Sequence, residues 1–144
     1  MRRSLGVVFV LLLAVLLLTP SGAEAQTSGG RAKATVGQNY PNPFNPTTRI
    51  PLTLPPELFE GGKTVTVSMR ITNYLLQPVA VPMALGHPEG NVRVTNLKYS
   101  TPGTHTMYWD GTDRNGDKVG SGIYLLEVVV NGERLTVIKL VVTK

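Results

Sequence analysis

Residues 122–143 read GIYLLEVVVNGERLTVIKLVVT, two apolar runs rich in β-branched residues that are joined by Asn131-Gly132. Asn-Gly is preferred in the type I′ turn of a hairpin, because both positions of that turn need positive φ. The first run opens as Gly122-x-Tyr124, the form of a tyrosine corner, in which a tyrosine near the start of a strand returns its hydroxyl to upstream backbone. The stretch therefore predicts a closing hairpin of an antiparallel β-sandwich.

Upstream of this hairpin, five more segments alternate apolar and polar residues or carry continuous β-rich apolar character. They are Arg49–Leu54, Thr64–Thr72, Pro78–Ala84, Val92–Ser100 and Thr104–Trp109. Pro82 predicts an edge position for the third segment, since proline cannot donate to a strand ladder. The apolar phase slips after Val94, which predicts a bulge or a break in the fourth.

Helical patterns are limited to Pro56–Phe59 and Tyr74–Gln77, and both are too short to stand alone. About seven short strands, punctuated by Gly, Pro, Asn and Asp, predict an all-β fold, an Ig-like antiparallel sandwich. In that fold Thr104–Trp109 would be strand E, Gly122–Val130 strand F and Arg134–Thr143 strand G.

The amino-terminal segment has the features of a signal peptide. Arg2 and Arg3 precede 14 apolar residues, Leu5–Leu18, and Ala23-Glu24-Ala25 has the small-x-small pattern of a cleavage site. Fourteen residues are fewer than the roughly 20 that a membrane-spanning helix needs. We expect cleavage after Ala25, a flexible leader over residues 26–37, a sandwich over residues 38–144, and a mature chain in the periplasm, on the cell surface or outside the cell.

A proline-rich segment opens the sandwich. Gln38–Pro46 holds three prolines, each of which fixes its own φ and favours extended geometry in the residue before it. The segment is therefore rigid and non-helical. Tyr40 and Phe44 are the predicted apolar anchors that hold it on the body of the domain.

Composition excludes several classes of function. The chain of 144 residues has no Cys, so it has no disulfide, thiolate metal site or cysteine nucleophile. Its net charge of +5 comes from scattered basic residues, without the patch that nucleic-acid binding needs. No serine sits in a Gly-x-Ser-x-Gly context, and no Gly-rich phosphate loop precedes a helix. The sequence predicts neither an enzyme nor a bound cofactor.

Asp110, Asp113, Asn115 and Asp117 crowd one loop and raise the question of calcium. As an EF-hand loop that starts at Asp113, the sixth position would be lysine in place of Gly and the twelfth would be tyrosine in place of Glu. The match fails. We interpret the cluster as turn chemistry, in which Asx side chains bond to nearby backbone; an irregular calcium site is the alternative.

The aromatic and imidazole side chains also have two interpretations. Trp109 stands directly before a turn and is predicted to plug the core or its rim. The alternative is a sugar-binding platform formed with Tyr108 and Tyr99. His105 shares the strand face of Trp109 and is predicted to be a partly buried packing residue, whereas His87 falls in a loop.

Two blocks of sequence resemble a known family. Residues 39–48, NYPNPFNPTT, resemble the opening of the C-terminal sorting domains of the type IX secretion system. Residues 109–116 (WDGTDRNG), 121–124 (SGIY) and 139–142 (KLVV) resemble the end of the same domains. This second block is also similar to the Ig-like domain of the flagellar hook-capping protein. The resemblance implies an exported Ig-like sandwich that directs or supports placement at the cell surface.

We therefore expect an exported, non-catalytic module for sorting, anchoring or assembly. Its partner would be a protein of the cell envelope or the secretion machinery, and self-association stays open. A carbohydrate- or calcium-binding module is one alternative. The other is a subunit of a surface polymer, in which the Gln26–Pro46 extension adds a strand to its neighbour.

Overall fold

The described part of the chain, residues 33–144 of a computed structural model, is built mainly from strands. The expected signal peptide and its cleavage site at Ala25 lie outside these residues. Within them there are nine strands: β1 Thr35–Val36, β2 Thr48–Leu54, β3 Val65–Asn73, β4 Pro78–Ala80, β5 Met83–Leu85, β6 Leu97–Tyr99, β7 Gly103–Trp109, β8 Gly122–Val130 and β9 Glu133–Val142. A 3-10 segment, Pro56–Gly62, links β2 to β3.

The strands form two antiparallel sheets that pack face to face. One sheet has the order β1-β2-β7-β5, and the other has the order β4-β3-β8-β9, with β6 also paired to β3. These are the A-B-E-D and C′-C-F-G orders of an Ig sandwich. The predicted fold class is confirmed, and the segments assigned to strands E, F and G are β7, β8 and β9. We call the second sheet the CFG sheet.

The core lies between the inward rows of the two sheets. Period-2 alternation puts every second residue of each strand on this side, where burial of apolar area stabilises the fold by about 25 cal/mol per Å². The buried rows are Ile50, Leu52 and Leu54 on β2, Val65, Val67, Met69 and Ile71 on β3, Met107 and Trp109 on β7, Leu126, Val128 and Val130 on β8, and Ile138, Leu140 and Val142 on β9.

The F–G hairpin turns as its sequence predicts. Asn131 and Gly132 have φ of 50° and 80°, the two positive values of a type I′ turn. Asn131 also ties the turn to β3, since its backbone N–H donates to the Thr66 carbonyl at 2.8 Å and its Oδ1 accepts the Thr66 N–H at 2.9 Å. The turn therefore fixes the F–G register and the position of strand C beside it.

The tyrosine corner is also present. The Tyr124 hydroxyl donates to the Gly120 carbonyl oxygen at 3.0 Å, four residues upstream. The Tyr124 ring packs edge-on against Trp109, with the ring centroids 5.5 Å apart. This bond holds the loop between strands E and F where it enters strand F.

The prediction of one strand over Pro78–Ala84 was wrong. The segment divides into β4, which pairs with β3 in the CFG sheet, and β5, which pairs with β7 in the other sheet. Pro82 lies at the crossing, where its carbonyl accepts the Val94 N–H at 3.0 Å. The expected edge position is correct, because β4 and β5 each end their sheet.

Only the last part of the predicted strand Val92–Ser100 is a strand. Asn96 has a positive φ of 49°, which interrupts the extended backbone. The change in apolar phase that was predicted after Val94 occurs at this residue. The Asn96 side chain and backbone both bond to Ser68 Oγ, at 3.0 and 2.9 Å. As a result Val94 is buried before the break and β6 follows it.

The last residues of the predicted flexible leader, 26–37, belong to the sandwich. Thr35 and Val36 pair with Thr53 and Leu52 of β2, and Ala34 is buried. The sandwich therefore includes residues before 38, because this short strand completes the A-B-E-D sheet.

Tyr99 is the unusual residue of the core. Its ring is buried between His87 and His105, with centroid separations of 5.0 and 4.4 Å. Both imidazoles bond to backbone carbonyls, His87 Nε2 to Lys98 O at 2.9 Å and His105 Nε2 to Thr101 O at 3.0 Å. The Tyr99 hydroxyl has no hydrogen-bond partner within residues 33–144.

Replacing Tyr99 should therefore stabilise the protein. A buried hydroxyl without a partner keeps its desolvation cost, so Tyr99→Phe should raise the free energy of unfolding by about 1 kcal/mol. Tyr124→Phe is the matched control and should lower it by about 1 kcal/mol, since that hydroxyl is bonded. Urea denaturation of both variants measures the difference, and a loss of stability in Tyr99→Phe would contradict the assignment.

Tyr99→Phe should also change how the free energy of unfolding depends on pH in alkaline solution. Burial raises the pKa of Tyr99 from 10.0 to about 12, so between these pH values the unfolded chain loses a proton that the folded chain keeps. The stabilisation is complete below pH 10 and is lost as pH rises through 12, by about 2 to 3 kcal/mol. Urea denaturation from pH 9 to 12 should show this decline in the wild type and a smaller one in Tyr99→Phe.

Candidate functional site

The segment 38–46, which we call the anchor segment, lies along the outer edge of β9. The Phe44 N–H donates to the Val141 carbonyl at 2.9 Å, and the Phe44 carbonyl accepts the Thr143 N–H at 3.0 Å. Asn42 accepts the Val141 N–H through its Oδ1 at 3.1 Å. The segment therefore satisfies backbone groups that an edge strand would otherwise leave open to another chain.

Phe44 fixes the anchor segment to the domain, because its ring is buried in the core. Its side chain is only 1% exposed, and its ring meets Trp109 edge-to-face with the centroids 5.4 Å apart. The prediction for Tyr40 was wrong, because Tyr40 is 50% exposed. Its backbone pairs with Arg49 in both directions at 2.9 Å, so its place in the segment depends on main-chain bonds.

A buried polar contact, and not the Tyr40 ring, holds the start of the anchor segment on the domain. Asn39 and Thr48 are both buried, and Asn39 Nδ2 donates to Thr48 Oγ1 at 2.9 Å. Thr48 Oγ1 in turn donates to the Pro41 carbonyl at 2.9 Å. Sequence reasoning missed this pair, since Asn and Thr in a proline-rich stretch are also ordinary turn residues.

The Asp-rich loop is a set of Asx turns. Asp113 Oδ1 accepts the backbone N–H groups of Asn115 and Asp117 at 2.8 and 3.0 Å. Asp110 Oδ1 accepts both the N–H and the hydroxyl of Thr112, at 3.0 and 2.6 Å. Two of the candidate carboxylates are therefore engaged by the loop's own backbone, as the turn interpretation predicts.

The Asp-rich loop is seated on the anchor segment. Trp109 Nε1 donates to the Thr112 carbonyl at 2.9 Å, which joins the start of the loop to the core. Gly111 has a φ of 72°, and a Cβ added there would lie 2.6 Å from the Pro46 carbonyl oxygen. Only glycine fits this close approach, so the loop and the anchor segment form one packed unit at this end of the sandwich.

The alternative binding sites are not assembled in the described residues. Among residues 33–144, no group of three or more His, Asp or Glu side chains could hold a metal ion. The alternative of a sugar platform is wrong, because Trp109 and Tyr99 are buried in the core, and Tyr108, next to Trp109 on β7, lies on the other face of that strand. Residues 33–46 pack on their own chain, so a strand donated from there would first have to leave these contacts.

Within residues 33–144, none of the helical structure is long and apolar enough to cross a bilayer.

Comparison with known proteins found a family match and a similar fold. The profile of the FlgD Ig-like domain family matches residues 57–133. The crystal structure of dimeric latent PorU from Porphyromonas gingivalis is similar with a TM-score of 0.50 and 21% sequence identity, over 79% of this chain. The chain spans about a tenth of PorU, since the match covers 10% of it. No curated protein sequence matches significantly.

Phe44 should carry most of the anchor segment's stabilisation. Phe44→Ala removes a buried ring from its contact with Trp109 and should lower the free energy of unfolding by about 3 to 5 kcal/mol. Tyr40→Ala is the matched control in the same segment and should change it by about 0.5 kcal/mol or less, because the ring is half exposed. Chemical denaturation measures both, and equal losses in the two variants would disprove the assignment.

The variant Asp113→Ala distinguishes an Asx turn from a calcium site. If the carboxylate serves the Asx turn, the variant should lose about 1 kcal/mol of stability, and the loss should be the same in calcium and in a chelator. Asp117→Ala is the control, because its carboxylate accepts no hydrogen bond in the described residues, and it should melt like the wild type. A calcium-dependent rise in melting temperature that both variants abolish would establish the metal site.

Proposed function

The chain belongs to the FlgD Ig-like domain family, and on that premise we propose that it is an exported, non-catalytic module that supports placement or assembly at the cell surface. The family match over residues 57–133 carries this proposal. It covers strands C to F and the turn into strand G, the part of the sandwich that contains the tyrosine corner.

The likeness to PorU supports an accessory role. It covers 79% of this chain but a tenth of PorU, so the shared unit is one domain of a larger protein. A sandwich that accompanies larger polypeptides is suited to positioning them. The resemblance of residues 39–48, 109–116, 121–124 and 139–142 to sorting domains points to the same role.

The hydrogen bonds that the polar side chains make with the backbone support a non-catalytic role. Asp110 and Asp113 accept backbone N–H groups, and His87 and His105 bond to backbone carbonyls. His87 Nδ1 also accepts the Glu89 N–H at 3.1 Å, so both ring nitrogens are engaged by backbone groups. Groups held in this way stabilise loops, and a reaction centre would need some of them free.

Export is tested by fractionation of producing cells followed by intact mass. The processed chain should begin at Gln26 and should be accessible to added protease at the cell surface. Leu12→Arg, which puts a charge in the apolar run, should leave the full chain unprocessed inside the cell. Thr27→Arg, just beyond the cleavage site, is the control and should be processed normally.

Two results would count against the proposal. An unprocessed wild-type chain in the cytoplasm would disprove export. A 26–144 product kept in the periplasm would disprove surface placement. Loss of a C-terminal segment in surface material would indicate sorting of the type IX kind.

A further inference from the structure

The outward face of the CFG sheet is unexpectedly apolar. An antiparallel sheet with one solvated face normally places polar residues on that side. On β8 the outward positions are Ile123, Leu125, Glu127 and Val129, and on β9 they include Val137 and Val141. Near-continuous apolar strands of this kind are typical of sheets that are covered on both faces.

The exposed part of this face is continuous by register. Ile123 pairs with Val141, and Leu125 pairs with Lys139. Ile123 and Val137 are 49% and 48% exposed, which is high for branched apolar side chains. Val137 pairs with Glu127, so Ile123 and Val137 lie towards opposite ends of one face, joined by cross-strand neighbours that are about 5 Å apart.

The turn between strands C and C′ adds an apolar tip at one end of the face. Tyr74, Leu75 and Leu76 follow one another there and are between 61% and 75% exposed. Asn73, which precedes them, pairs with Tyr124, so the tip projects from the end of the sheet where Ile123 lies. Three consecutive exposed apolar residues are costly in a soluble domain unless they serve binding.

The tip is held in a strained conformation. Leu76 has a positive φ of 62°, which a leucine rarely adopts. Asn73 Oδ1 accepts the N–H groups of Leu75 and Gln77 at 3.0 and 2.9 Å, and its Nδ2 donates to Gln77 Oε1 at 2.8 Å. Strain that the surroundings enforce is typical of functional sites, and it presents these side chains in one fixed arrangement.

The charges around the patch are mainly positive. Glu127 lies at its centre and bonds to Arg70 and Arg134, each at 2.6 Å. The hydrogen bond from Arg70, with the field of both arginines, holds the pKa of Glu127 below its usual value. Lys139 and Lys98 occupy exposed outward positions on β9 and β6. The outward positions of the sheet therefore carry these four cations and one carboxylate, which is already paired with two of them.

We propose that the outward CFG face and the Tyr74–Leu76 tip form a docking surface for a protein partner that presents apolar side chains bordered by aspartate and glutamate. The cations would pair with the partner's carboxylates, and the apolar rows would be covered by its apolar side chains. The inference rests on the proposed function only in that the module acts by binding a protein.

The charges argue against the other occupants. A second copy would bring the same four cations against this face, and like charges across an interface cost several kcal/mol. A lipid surface would cover the ion cluster at Glu127 together with Leu125 and Val129 beside it, and charges are expensive in hydrocarbon. An acidic, apolar protein surface matches both features.

The test is site-specific photocrosslinking in producing cells, followed by binding measurements. A photoreactive phenylalanine analogue at Val137 should give a protein adduct, whereas the same analogue at Thr53, which is exposed on the opposite sheet, should give none. Mass spectrometry should place the adduct in a segment with apolar residues flanked by carboxylates. Adducts are scored on processed and unprocessed chain alike, so a failure of export and a failure of this surface give different results.

The identified partner is then purified for affinity measurements. Ile123→Asp and Arg134→Glu should each weaken binding by about tenfold or more, and Thr53→Asp should leave it unchanged. Both changes are at exposed positions, and urea denaturation checks that the variants fold. An adduct to a second copy, an adduct to lipid, no adduct above the Thr53 background, or affinity unaffected by both variants would each overturn the proposal.

Discussion

The hydrogen bonds that close the outer edge of strand G are the constraint on which this sandwich depends. An open sandwich has edge strands whose backbone groups pair with any extended chain. Here the anchor segment covers the end of strand G through Phe44 and Asn42, and Arg114 covers strand C′ with its N–H on the Val79 carbonyl at 3.0 Å. The residues between 92 and 94 cover strand D in the same way, through Ala84 and Pro82. Loops and the anchor segment therefore close these edges.

Three aromatic rings connect the anchor segment to the rest of the domain. Phe44 contacts Trp109, and Trp109 contacts Tyr124, so one chain of edge-to-face contacts joins the anchor segment, strand E and strand F. The polar ends of Trp109 and Tyr124 both bond to the carbonyls of the loop that separates them. The residues that resemble the family's motifs therefore hold the structure together at one end of the sandwich.

The outward CFG face differs in physical character from the rest of the surface. Burial of inward rows and closure of edges account for most of the sequence, yet neither explains exposed isoleucine and valine on strands F and G or the strained leucine at the tip. Features that reduce solubility or cost strain without adding stability are expected at functional sites. A module that acts by binding would keep such features on a rigid face, and the twisted sheet provides that face.

The sequence by itself determined the fold class, the F–G hairpin and the tyrosine corner, because period-2 alternation, Asn131-Gly132 and Gly122-x-Tyr124 are local signals. Tertiary structure decided that the residues before Pro82 join one sheet and those after it join the other. It also decided that Tyr40 is exposed while Asn39 is buried, and that Tyr99 lies in the core. It also decided that the Asp-rich loop closes on its own backbone and on Pro46. These outcomes depend on partners that are distant in the chain. Alternation shows which residues share a face of a strand, but only the packing of the fold determines what that face contacts.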